Sequence, residues 1–187
     1  QQSTLVIDDV EIIDCTVNTT AAECQNAVII VDKQTGVQVE KNPVLANTSY
    51  TQPVLNTKVG SVLITPNTQL SDIYLQTLIL EMGTVKGIAN YNVKIGDKSI
   101  GSGATIPTRT EITLKTATST GYLLSAKTPT SVDIYADITD NGTYQFTIPA
   151  QGIKMQRNGA APVTFQMEIL PLQVMTLLRA SAPSVAD

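Results

Sequence analysis

The residues best suited to chemistry are concentrated near the start of the chain. Four carboxylates, Asp8, Asp9, Glu11 and Asp14, form its densest acidic cluster. Carboxylate oxygens are ligands that Ca²⁺ prefers, so the cluster is a candidate calcium site if a second chain supplies further oxygens. The alternative is a solvated edge strand whose charges block stray pairing. The lack of an Asp-x-Asp-x-Asp-Gly loop favours this alternative, and we expect no bound cofactor.

Cysteines and glycosylation motifs indicate an oxidising, extracellular setting. Cys15 and Cys24 are the only two cysteines, and they predict one local disulfide worth about 2–3 kcal/mol in the chain-entropy model. A pair of buried free thiols is the alternative, which the polar residues between them disfavour. Candidate N-glycosylation sites are Asn18, Asn47 and Asn141, each followed two positions later by Thr or Ser.

The residue types that are missing exclude several classes of enzyme. The chain has no His, which removes Ser-His-Asp and Cys-His nucleophilic sites and the zinc proteases. It also lacks the glycine-rich motifs that bind phosphate groups. A spatial pair among the 16 acidic residues could still hydrolyse glycosides, but 4% aromatic residues and no Trp provide little surface for a sugar. We therefore expect a protein that is not an enzyme.

Composition and charge also argue against two kinds of partner, nucleic acid and a membrane. The net charge of -4 and the dispersed Lys and Arg residues argue against binding to nucleic acid. No apolar run is long enough to span a bilayer as a helix. The chain begins at Gln1 rather than Met, which we interpret as removal of a secretory signal, with an engineered truncation as the alternative. We expect a secreted protein.

Short apolar and polar alternations, punctuated by Gly, Pro, Asn and Asp, are typical of β-strands. They predict about ten strands without helices between them, which favours one antiparallel β-sandwich with jelly-roll-like character. Residues 73–80 form the most continuously apolar stretch and predict a central strand. Residues 172–178 predict a last strand or a short helix.

Turn residues predict where these strands reverse. Asn141-Gly142 lies between two alternating segments and predicts a hairpin with a primed turn. Asn158-Gly159 predicts a second turn, joining residues 153–155 to 163–170. Residues 33–36 predict another turn, and the glycine-rich residues 96–103 predict a hairpin or a loop.

The first strand has an unusual pattern, because it is apolar on both faces. Val6, Val10 and Ile12 lie on one face of an extended residues 5–13, and Leu5, Ile7 and Ile13 lie on the other. Such a segment suits burial on both sides in a groove of a neighbouring molecule. We therefore divide the chain into an N-terminal donor strand, residues 1–13, and a β-sandwich domain, residues 14–187.

An apolar first strand, a Thr- and Asn-rich β-domain and several sequons together resemble archaeal pilus subunits of the thread and bundling-pilus type, and more distantly bacterial chaperone-usher pilins. The resemblance implies that the N-terminal strand of one subunit, here Leu5 to Ile13, completes the sandwich of the next. It implies a homopolymeric, helical filament at the cell surface, with contacts to neighbouring filaments. Alternative functions are a virion tail-tube, capsid or decoration protein and a monomeric adhesin.

Overall fold

The computed structural model describes residues 5–7, 10–12, 29–32, 36–66, 73–157, 162–164 and 167–181, and within these it contains strands and no helix. The predicted all-β sandwich is confirmed; its jelly-roll connectivity stays a prediction. The strands are β1 Leu5–Ile7, β2 Val10–Ile12, β3 Ile29–Asp32, β4 Val37–Lys41, β5 Thr48–Tyr50, β6 Val54–Pro66, β7 Ile73–Met82, β8 Ile88–Ile95, β9 Lys98–Thr105, β10 Arg109–Thr113, β11 Tyr122–Leu124, β12 Thr130–Ile138, β13 Gly142–Ile148, β14 Ile153–Arg157, β15 Val163–Thr164 and β16 Leu170–Leu177.

One main sheet has six strands in the order β3-β4-β6-β12-β8-β9. All of its neighbouring strands pair antiparallel. Its central strand β12 buries every second residue, because successive side chains of a strand point to opposite faces. The buried members are Val132, Ile134, Ala136 and Ile138, none of which has any solvent exposure.

The second main sheet has eight strands organised around β7, which pairs on both of its edges. β10 and β11 lie along one edge, and β13 and β14 lie along the other. On each edge, two short strands lie end to end along β7, as one long strand with an interruption would. The sheet therefore contains many short strands. The prediction of a central strand at residues 73–80 is confirmed, as is a strand at the end of the chain, β16.

The two sheets pack face to face, with β13 and β16 of the eight-stranded sheet against β6 of the six-stranded sheet. The apolar core between them includes Phe146, Ile148 and Leu170, each at most 2% exposed. Burial of one such side chain contributes about 1.5–3 kcal/mol. The alternation seen in the sequence therefore marks the faces that meet in the core.

One buried side chain connects the two sheets by hydrogen bonds. Gln173 lies at a bulge in β16, where two residues oppose one residue of β13, so that Leu172 and Gln173 are both buried. The Gln173 Oε1 atom accepts a hydrogen bond from the Ser61 N–H at 2.8 Å, and its Nε2 donates to the carbonyl oxygen of Asn42 at 2.8 Å. These bonds satisfy backbone groups that would otherwise be buried without partners.

Most of the predicted turns are confirmed by strand pairing. β3 and β4 pair with Asp32 opposite Val37, and Gly36 has a positive φ of 63°. β14 pairs antiparallel with β15, as predicted for the segments around Asn158-Gly159, although these two residues lie outside the described residues. The glycine-rich residues 96–103 form a hairpin, with Gly96 and Asp97 in its turn and residues 98–103 in β9.

The prediction of a hairpin at Asn141-Gly142 is wrong. β12 pairs with β6 and β8 in one sheet, whereas β13 pairs with β7 and β16 in the other. The chain therefore crosses from one sheet to the other at this point. Neither Asn141 nor Gly142 has the positive φ that a primed turn needs.

Tyr144 stabilises this crossing. Its hydroxyl lies 2.9 Å from the carbonyl oxygen of Asp140 and 3.1 Å from that of Lys86, so that its proton is shared between two backbone acceptors. Burial, and after it the charge of Asp140, raise the pKa of the Tyr144 phenol, which therefore stays protonated as a donor. A Cβ at Gly87 would lie 2.4 Å from this hydroxyl, so only glycine fits there. The arrangement corresponds to the tyrosine corner of Greek-key sandwiches.

We expect Tyr144→Phe to lower the free energy of unfolding by about 0.5–1.5 kcal/mol, because the hydrogen bonds to the carbonyl oxygens of Lys86 and Asp140 are lost while the ring keeps its packing. Urea denaturation of the variant measures this change. Tyr74→Phe is the matched control, since the Tyr74 hydroxyl has no hydrogen bond among the described residues. Equal stability of the two variants would show that the hydroxyl does not hold the crossing.

Candidate assembly edge

β9 is an edge strand with no partner on its outer side among the described residues. It runs for eight residues along β8 and ends the six-stranded sheet. Lys98 is its only charged residue, and it contains no proline. Natural proteins usually protect such an edge with charges, proline or a short length, because its free N–H and C=O groups pair with other chains. β9 is therefore a candidate to accept an added strand, and at eight residues it is longer than β3, the four-residue strand at the opposite edge of this sheet.

Glycines on the inner face keep β9 close to the rest of the sandwich. A Cβ at Gly101 would lie 3.0 Å from Ile112 of the opposite sheet, and one at Gly103 would lie 2.8 Å from the Tyr91 ring. Ile112 and Tyr91 thus fill the space that side chains would occupy, and an aromatic ring over an edge glycine helps to fix register. Ile100 is an extra residue in the pairing with β8, and it is half-buried.

A pocket of about 190 Å³ opens beside the first half of β9. One wall is formed by β9 and the other by the segment between β10 and β11. The pocket combines apolar side chains, three hydroxyls and one ammonium group from its lining residues Lys98, Ser99, Ile100, Leu114, Ser119, Gly121 and Tyr122. Its chemistry suits an aliphatic side chain with an anionic neighbour.

Gln76 holds the second wall of this pocket in place. Its backbone oxygen accepts hydrogen bonds from the N–H of Leu114 at 2.7 Å and of Lys115 at 3.3 Å. Its side-chain Nε2 donates to the carbonyl oxygen of Thr120 at 3.0 Å. Both ends of residues 114–120 are therefore tied to β7. The Gln76 Oε1 atom is buried with no hydrogen-bond partner in the described part of the chain.

In contrast to β9, the β16 side of the eight-stranded sheet is protected. On the outer side of β16, the three-residue β5 pairs in parallel with Met175–Leu177. The Asn47 side chain accepts a hydrogen bond from the Val174 N–H at 2.8 Å, as an added strand would. Pro171 has no N–H to offer. This edge is less receptive than β9.

The predicted donor residues lie in two short strands that pair with each other. Leu5, Val6 and Ile7 in β1 are opposite Ile12, Glu11 and Val10 in β2. In this two-stranded sheet they pair with neither main sheet. The expectation of one unbroken strand over residues 5–13 is therefore corrected, since Leu5–Ile7 and Val10–Ile12 are two strands that pair antiparallel with each other. Ile13 lies outside the described residues, and the donor role stays a prediction.

Two of the predicted glycosylation sites are exposed. Asn47 uses its Oδ1 atom on Val174, and the Asn141 Oδ1 atom accepts a hydrogen bond from the Arg179 N–H at 3.0 Å. Neither hydrogen bond involves the amide nitrogen, which is the atom to which a glycan attaches.

The other predicted sites lie mostly outside the described residues, namely Asn18, Cys15, Cys24, Asp8, Asp9 and Asp14. Glu11 is in β2, and the described residues contain no group of three possible metal ligands.

A cluster of Ser61, Ser131, Asp133 and Lys58 contains residue types found in hydrolytic sites. The Asp133 carboxylate accepts hydrogen bonds from Ser61 at 2.6 Å and Ser131 at 2.8 Å, and lies 3.0 Å from the Lys58 ammonium. Ser61 has no solvent exposure, so a substrate cannot reach its hydroxyl. The cluster therefore joins β6 to β12.

Comparison with protein-family models, with curated proteins and with solved structures finds no match for this chain. The described residues include no helix long and apolar enough to cross a membrane.

Sequence reasoning did not identify β9 as a functional element. The glycines at positions 96, 101 and 103, in the turn before β9 and in β9 itself, predicted a hairpin or loop, and no apolar alternation marked a strand. A signal was nevertheless present. The glycines alternate at 101 and 103, and the preceding strand carries Tyr91, which is the pattern of an edge strand covered by an aromatic ring.

We expect Asp133→Asn to reduce stability at neutral pH and to have little effect at low pH. Burial alone would raise the pKa of Asp133, but hydrogen bonds from Ser61, Ser131 and Lys58 outweigh it and lower that pKa. A lowered pKa means that the carboxylate adds stability above the unfolded-state value of about 4, and that this is lost as the pH falls through the folded-state pKa. Urea titrations of both proteins at several pH values between about 2 and 7 measure the difference.

Asp137→Asn is the matched control, because Asp137 lies on the same strand and is hydrogen-bonded to Asn56 and Asn90 without an ion pair to Lys58. A stability difference for Asp133→Asn that does not change with pH would contradict the assignment of the ionised form.

Proposed function

We propose that the chain is a structural subunit of an extracellular filament, which polymerises head to tail when the N-terminal strand of one copy is added to a sheet of the next. The observation that carries this proposal is β9, an eight-residue edge strand with one charge, no proline and no outer partner in the described part of the fold. Addition of a strand to such an edge forms a row of backbone hydrogen bonds, and neighbouring pockets select the side chains.

The state of the N-terminal segment supports its release to a partner. β1 and β2 have three residues each and are joined by three residue pairs. A two-stranded sheet of this size is marginal in water, because it satisfies few backbone groups and has no third strand. An extended segment can form more backbone hydrogen bonds along β9 than the short hairpin contains.

The geometry of this exchange leads to a filament. Donor and acceptor are different surfaces of the same chain, so the contact is heterologous. A heterologous contact that does not close into a ring repeats without limit and gives a helical fibre. The low charge content of 15% also limits repulsion between copies.

Exposed asparagines and the two cysteines support the part of the proposal that concerns secretion. Asn47 and Asn141 are exposed and lie in N-glycosylation motifs. The two cysteines of the chain are consistent with an oxidising compartment. Mass spectrometry of native protein, before and after removal of N-glycans, tests this point separately from assembly.

We expect the full-length protein to form filaments visible by negative-stain electron microscopy, and to sediment as large species whose amount rises with concentration. Deletion of residues 1–13 is expected to leave monomers with unchanged circular dichroism, because the acceptor domain keeps its core and only the donor is lost. Deletion of residues 182–187 is the matched control and should leave assembly intact. Filaments that survive deletion of residues 1–13, or full-length protein that stays monomeric at every concentration, would contradict the proposal.

A further inference from the structure

We infer that β9 and its adjoining pocket receive residues 5–13 of a second copy, with an aliphatic side chain in the pocket and carboxylates next to Lys98. This inference rests on the proposed function and specifies which edge accepts the strand and what the pocket binds. The partner is therefore another molecule of the same chain. The contact surface is the outer edge of β9 together with the lining of the pocket.

The lengths of the two partners match. β9 has eight residues, which span about 27 Å at the rise of an extended strand. Residues 5–13 span about 30 Å when extended. The donor therefore covers the whole acceptor edge. Because the donor has apolar residues on both faces, an apolar side chain faces the pocket whether the donor pairs parallel or antiparallel to β9.

The pocket has the size and lining for one aliphatic side chain. Its volume is about 190 Å³, and an apolar cavity of about 150 Å³ accepts a molecule as large as benzene. Ile100, Leu114 and Tyr122 supply apolar contacts. The hydrogen bonds of Gln76 fix the opposite wall, so the pocket exists before the partner arrives and little ordering is needed on binding.

Charge selects this segment over other apolar stretches. Residues 1–14 carry four acidic and no basic side chains. Residues 93–122, which contain β9 and both walls of the pocket, carry four basic side chains, of which Arg109 is paired with Glu81, and two acidic side chains. Opposite charges orient the strand and speed its association, and added salt weakens this effect.

Photo-crosslinking identifies the occupant directly. Benzoylphenylalanine replaces Ser102, which is exposed on β9, in the full-length protein, and replaces Lys154 of the interior strand β14 in a control. Isotope-labelled and unlabelled copies are mixed, assembled and irradiated, and the crosslinked peptides are read by mass spectrometry. We expect position 102, and not position 154, to link to residues 1–13 of a differently labelled copy.

Charge reversal tests the electrostatic part. Lys98→Glu with Lys115→Glu should raise the critical concentration for assembly about tenfold, because attraction to the acidic segment becomes repulsion. Lys86→Glu with Lys154→Glu makes the same change in net charge at exposed positions away from β9, and should leave assembly within about twofold. Adding Asp8→Lys and Asp9→Lys to the first variant should restore assembly, which a purely structural effect of the lysines would not produce.

The outcomes separate this inference from the proposed function. Filaments that crosslink position 102 to another segment, or to nothing, would overturn the β9 assignment and leave the filament proposal standing. Equal effects of the two charge reversals would also overturn it. Full-length protein that forms no assembly would overturn both.

Discussion

Every strand edge in a β-sandwich carries N–H and C=O groups that need partners, and this requirement decides how the chain is organised. The eight-stranded sheet meets it on the outer side of β16 with the short parallel β5 and with the Asn47 side chain on Val174. Along β10, the ion pair between Arg109 and Glu81 and the neighbouring Glu111 place charges beside the edge. β9 has a single charge and the extra residue Ile100, and it has no outer partner within the described residues, so its edge is open and is lined mainly by small neutral residues.

The open edge is compatible with a stable fold because the core does not depend on it. Glycines at 101 and 103 let Ile112 and Tyr91 close the inner face of β9, so the core is sealed before any partner binds. The two sheets are held together elsewhere, by the packing of β6 against β13 and β16 and by the hydrogen bonds of Gln173. The contacts that join the two sheets therefore lie away from β9, and the proposed addition of a strand at β9 would not require the core to rearrange.

Much of the fold followed from local patterns, and the exceptions have physical reasons. Alternation in residues 131–138 and 144–148 marks β12 and β13 because one face of each is buried. Alternation does not state which sheet a strand joins, and Asn141-Gly142 was therefore interpreted as a hairpin. The crossing depends on the Tyr144 hydroxyl reaching Asp140 and Lys86, and Lys86 is too far away in sequence for a local rule to include it. The candidate edge was missed for a related reason, since Gly101 and Gly103 are strand residues only because Ile112 and Tyr91 replace their side chains.

The pairing of β1 with β2 also bears on how assembly is controlled. A free donor strand with apolar residues on both faces would bind any exposed edge, and aggregation would compete with ordered growth. The pairing of the segment with itself covers some of its backbone groups and divides it into two three-residue strands. The cost of opening three residue pairs is small compared with the row of bonds available along β9. In the proposed filament, a weak internal pairing would therefore slow nonspecific contacts and still yield to a partner whose edge, pocket and charge all match.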